Sequence, residues 1–83
     1  METFKKFKTE LSDFYKDKFG DTLAITSKEP IGDDEAIETE LNGEKFYTFS
    51  LKVMKSNWQR ISLIEDVDYI EYVATTLYKN TSK

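Results

Sequence analysis

Residues 31–44, IGDDEAIETELNGE, contain six carboxylates and neither Lys nor Arg. A run of this kind can ligate a hard cation, divide acid and base roles, or present negative charge to a basic surface. Oxygen ligands suit Ca²⁺ or Mg²⁺, but Gly32-Asp33-Asp34-Glu35 lacks the alternating ligand spacing of an EF-hand loop. No metal is expected there. Carboxylate pairs for acid–base catalysis could come from sixteen Asp and Glu, yet nothing singles out two of them. The chain has no His and no Cys, so the commonest proton shuttle and the most readily activated nucleophile are both missing. Its three isolated glycines match neither nucleotide-binding fingerprint. The expectation is a protein that is not an enzyme and carries no cofactor.

That leaves the third use, presenting charge. Net charge is −4, and its distribution says more than its size. Residues 29–44 hold seven acids and no base, whereas 45–60 hold Lys45, Lys52, Lys55 and Arg60 and no acid. Adjacent segments of opposite sign polarise a small molecule and steer it toward a charged partner. The alternative is that these charges only solvate neighbouring strands.

The elements that position these groups follow from periodicity. Phe4, Phe7, Leu11, Phe14 and Lys18 recur three or four residues apart, which predicts a helix ending near Gly20. TLAITS at 22–27 alternates as a strand, and KEPIGDD, with the only Pro, reads as a loop. EAIETEL at 35–41 alternates again, with Ile37, Thr39 and Leu41 on one side and Glu38 and Glu40 on the other. Asn42-Gly43 is a hairpin signal. In the next expected strand, KFYTFSLKVM at 45–54, Tyr47, Phe49, Leu51 and Val53 share a face. A two-residue turn would pair odd positions with even ones and set Glu38 and Glu40 beside that apolar row. The expectation is therefore a three-residue turn with Gly43 as a bulge. KSN at 55–57 reads as a further turn into WQRISLI, whose Ile61 and Leu63 extend the odd face. Ile70, Val73, Ala74 and Leu77 predict a closing helix, capped by Asp66 or Asp68.

The expected architecture is one α+β domain over residues 1–83: helix, four-stranded antiparallel sheet, helix, with both helices on the odd face. The even face then lies open. It would carry Glu38, Glu40, Phe46, Lys52, Met54, Trp58 and Arg60, an apolar spot flanked by bases and acids. Trp and Arg often dominate interface energetics, and a small domain seldom exposes Trp, Met and Phe together without a use.

The expected function is a protein-binding module, an inhibitor or adaptor. Phe46, Met54, Trp58, Lys52 and Arg60 are its anchor, and Asp33, Asp34, Glu35, Glu38 and Glu40 are its approach to a basic, nucleic-acid-handling surface. In size, acidity and lack of catalytic residues the chain resembles in kind the small phage and mobile-element proteins that disable host proteins, anti-CRISPR and other anti-defence proteins among them. No motif carries that likeness. The alternative is single-stranded nucleic acid stacked on Phe46 and Trp58, with bases meeting phosphates; the acidic balance and missing RNP-type motifs weigh against it. A homodimer is a further possibility. No apolar run reaches the length of a bilayer span and METFKKFKTE lacks an apolar signal core, so a cytoplasmic location is expected.

Overall fold

The computed structural model describes residues 2–32 and 34–81. The chain runs α1 (Glu2–Phe19), β1 (Leu23–Ile25), β2 (Ala36–Leu41), β3 (Glu44–Ser50), α2 (Leu51–Ser62) and α3 (Tyr69–Lys79). The fold is α+β, with three helices and a three-stranded antiparallel sheet in the order β1-β2-β3. The expected four strands and two helices are thus corrected, and the error lies in residues 51–64.

Those residues form α2 because their apolar positions also fit a helix. Leu51, Met54, Trp58 and Ile61 recur at intervals of three and four, and only Met54 among them is fully buried. The odd alternation of Leu51 and Val53 imitates a strand, but half of LKVMKSNWQRIS (Leu51, Lys52, Met54, Lys55, Gln59 and Arg60) consists of strong helix formers. Ser50 supplies the start: its extended backbone ends β3 and its Oγ accepts the Val53 N–H at 3.3 Å. With no Gly or Pro at 55–57, nothing breaks the helix there.

The hairpin resolves its parity differently from the expectation. Leu41 faces Glu44 across a tight turn in which Asn42 and Gly43 both have positive φ, 54° and 87°. This is the primed two-residue turn, so the three-residue turn is corrected. The extra residue demanded by the pattern sits further along β3. Glu40 pairs with Lys45 and Glu38 with Thr48, leaving Thr39 opposite both Phe46 and Tyr47. The bulge restores odd-to-odd pairing, so Ile37 faces Phe49.

The core collects Leu11 and Tyr15 of α1, Leu23 and Ile25 of β1, Ile37 of β2, Phe49 of β3, Met54 of α2, and Val73, Ala74 and Leu77 of α3. Glu38, Lys45 and Thr48 stay exposed on the opposite side of the sheet. α1 closes at Gly20, whose φ is +83° and whose N–H donates to the Lys16 carbonyl at 2.9 Å. Asp68, the second of the two expected caps, occupies the N-cap position of α3, but its side chain makes no capping hydrogen bond.

Candidate protein-binding surface

The structure disperses the anchor residues expected on an open sheet face. Met54 lies in the core at 4% exposure. Phe46 packs against that core from the bulge, its ring 6.1 Å from that of Tyr47. Trp58 is on a helix: its Nε1–H donates to the Val67 carbonyl at 2.7 Å, and its ring meets Tyr69 edge-on at 5.4 Å. The apolar spot therefore does not form, because α2 replaces the strand that would have carried it. Arg60 is exposed and donates through Nη2 to Asn57 Oδ1 at 2.7 Å.

The acidic residues have local partners. Asp34 Oδ1 lies 3.6 Å from Lys52 Nζ, both well exposed. Glu35 Oε2 accepts the N–H groups of Ile31 and Gly32, holding that loop in shape. Glu40 stands opposite Lys45 in the hairpin register, and Glu38 opposite Thr48. Asp33 lies outside the described residues. Two acids of the run, Asp34 and Glu40, thus meet bases of the segment that follows it within the same molecule. Among the described residues no group of three or more Asp and Glu converges as a cation site, and no helix is long and apolar enough to cross a membrane.

Another surface emerges at the turn between α2 and α3. Leu63 and Ile64 are adjacent there, 87% and 83% exposed. The turn is ordered: the N–H groups of Ile64 and Glu65 both donate to the Ile61 carbonyl, at 2.9 and 2.8 Å. At its far end the Trp58 indole holds the Val67 carbonyl. Trp58 thus acts as a brace, and the two aliphatic side chains are presented by a fixed backbone. Glu65, Asp66 and Asp68 follow, all exposed. Among the described residues no base lies within ion-pair distance of them.

The sequence carried a signal for this surface. Once Leu51, Met54, Trp58 and Ile61 are taken as the inward stripe, Leu63 and Ile64 fall beyond the helix, directly before the acids. Assigning Leu63 to a strand core concealed it.

Shallow depressions flank α2. One, of about 340 Å³, is lined by Asn57, Arg60, Ile61, Ile64 and Tyr72. A second, of about 280 Å³, is lined in part by Tyr47, Val53, Met54, Asn57 and Thr76. They share Asn57, so the flank of α2 toward α3 is concave along much of its length. No family model matches the sequence, and no curated protein or solved structure is significantly similar to it.

Proposed function

We propose that this chain is a small acidic protein-binding module that inhibits or recruits its partner by covering a basic surface, with the α2–α3 turn as its docking element. One observation carries the reading: Leu63 and Ile64 stand exposed together on a braced turn, followed directly by Glu65, Asp66 and Asp68. Burying both aliphatic side chains contributes about 4 kcal/mol, a factor of roughly 10³ in affinity. A turn already held by hydrogen bonds loses little entropy on docking. The carboxylates select an apolar pocket rimmed by Lys or Arg and speed the encounter. Nucleic-acid-binding proteins offer such rims, so the module would compete with their DNA or RNA, as an anti-defence inhibitor in the cytoplasm would. Nucleic-acid binding on the sheet has less support, because its outward side chains Glu38, Lys45 and Thr48 include no ring for stacking.

The test is capture from cell lysate by the immobilised chain over a salt series. It includes Leu63→Asp, a triple variant with Glu65, Asp66 and Asp68 changed to Lys, and a sheet control, Glu38→Lys with Glu40→Lys. The expected partner is held by wild type and control, is released by both turn variants, and loses nucleic-acid binding when the module is added. Capture that survives both turn variants but fails in the sheet control overturns the assignment. So does direct binding of a single-stranded oligonucleotide by the unaltered chain.

A further inference from the structure

The three-stranded sheet leaves β1 and β3 as its edges. On β2, Glu38 turns both backbone groups toward β1: its carbonyl accepts the Thr26 N–H at 2.9 Å, and its N–H donates to Ser27 Oγ at 3.2 Å. Thr48, the residue opposite Glu38 on β3, therefore takes no ladder bond from it and points its own N–H and C=O away from the sheet. Thr48 is exposed, and among the described residues neither group has another partner. Natural sheets guard such an edge with a bulge, a lysine or a covering element. The hairpin half of β3 has the first two, in the bulge at Phe46 and Tyr47 and in Lys45 before it. The half ending at Ser50 has no such device within the strand.

A depression of about 280 Å³ lies against that unguarded half, and Tyr47, Thr48, Phe49 and Ser50 all line it. Side chains alternate between the two faces of a strand, so consecutive residues share one depression only along the strand's edge. Val53, Met54 and Asn57 of α2 and Thr76 of α3 complete the lining. The space is thus a groove between a strand edge and a helix. A backbone N–H and C=O directed at such a groove call for another extended backbone, whose alternate side chains drop into it. Tyr47, Phe49, Val53 and Met54 make the receiving space largely apolar. Every charged residue of α2 is a base: Lys52, Lys55 and Arg60. Only Lys52 has an ion-pair partner among the described residues, the exposed Asp34.

We propose that this groove takes an extended, acidic segment of a partner protein, added to β3 as a fourth strand. The residue opposite Thr48 exchanges hydrogen bonds with it. The next residue seats an aliphatic side chain against Phe49 and Val53, and flanking carboxylates meet the bases of α2. The site is separate from the α2–α3 turn, since neither Leu63 nor Ile64 lines it.

The test uses a fluorescein-labelled hexapeptide, Glu-Thr-Val-Thr-Ile-Glu, titrated with the whole chain and followed by polarisation. In an added strand one alternate set of amides faces β3 and the other faces water. N-methylation at the two Thr residues should therefore weaken binding at least ~10-fold, whereas N-methylation at Val and Ile should leave it unchanged. A copy with Lys in place of both Glu residues should bind at least ~10-fold more weakly. Val53→Asp, at an exposed wall position, should repel the probe, and Leu63→Asp should have no effect, which separates this groove from partner capture at the turn. Hydrogen exchange should show the Thr48 amide open in the free chain and protected once the probe is bound. Absence of binding at millimolar probe overturns the proposal, as does equal loss from both methylated peptides, which would mean side-chain contact without strand addition. Equal binding of the Lys-flanked copy overturns the acidic assignment.

Discussion

Thr39 holds the bulge together, and replacing it measures how strongly. Its side chain is 1% exposed. Its Oγ1 accepts the Tyr47 N–H at 3.1 Å and donates to the Tyr47 carbonyl at 2.7 Å. β2 offers a single residue opposite Phe46 and Tyr47, and the hydroxyl partners both backbone groups of Tyr47 where the ladder is interrupted. Thr39→Val exchanges that hydroxyl for a methyl group of similar size and keeps a strand-favouring residue. Each hydrogen bond contributes about 1 kcal/mol net, and a stranded buried group costs about 1–3 kcal/mol. Tyr47 is half-buried, so water relieves part of that cost. The expected loss is about 2–3 kcal/mol.

Total stability for a chain of this length is on the order of 5 kcal/mol, so the urea midpoint should fall by about half with little change in slope. Thr39→Ser keeps both hydrogen bonds and loses one methyl, about 1 kcal/mol. Wild type, Ser and Val should therefore rank in that order. A Val variant as stable as wild type, or more stable than Ser, refutes the reasoning: the bulge would then be held by packing, with the hydroxyl incidental.

Gly43→Ala forces a side chain into φ +87° and should cost about 1 kcal/mol, whereas Gly32→Ala meets open space and carries no such φ, so equal losses in urea titrations would contradict the turn geometry. Tyr15 is fully buried with an unpartnered hydroxyl, and burial first, then Asp21 and Tyr78, raise its pKa above the usual 10.0. The unfolded chain then releases this proton first, so its contribution is complete below about pH 10 and is lost as pH rises through the folded-state value. Tyr15→Phe should be neutral or stabilising by up to about 1 kcal/mol near pH 7 and should flatten the alkaline decline; a clear loss at neutral pH would reveal a hydrogen-bond partner for the hydroxyl.

Elements whose local pattern agreed with their environment were legible in the sequence. α1, β1, β2 and α3 each show a single period and a clear boundary, such as Gly20 or the acids before Tyr69. Residues 51–64 show two periods at once, and the alternating run of β3 led naturally into the wrong one. The deciding features were Ser50 as a cap and the absence of a breaker at 55–57, both local and both easily outweighed by the alternation. The hairpin was half legible. The demand for one extra residue was sound, but sequence parity cannot say whether it falls in the turn or within the strand. Asn42 settles that through side-chain contacts the pattern does not reveal: its Oδ1 accepts the Thr22 N–H at 3.0 Å and its Nδ2 donates to Asp21 Oδ1 at 3.3 Å. The candidate site moved with α2, because any surface assigned to residues 52–60 depended on their being a strand.

Part of the acidic run that stands out in the sequence is thereby accounted for. Asp34 lies beside Lys52, Glu35 shapes its own loop, Glu40 faces Lys45, and Glu38 wets the outer sheet. Charge density alone therefore does not locate a site. Carboxylates with partners on their own chain contribute little field beyond it at physiological salt, where the Debye length is about 8 Å. Glu65, Asp66 and Asp68 are fewer, but they lack such partners among the described residues and adjoin exposed aliphatic surface. Affinity needs that combination, since apolar contact supplies most of the energy and charge mainly selects the partner and speeds its arrival.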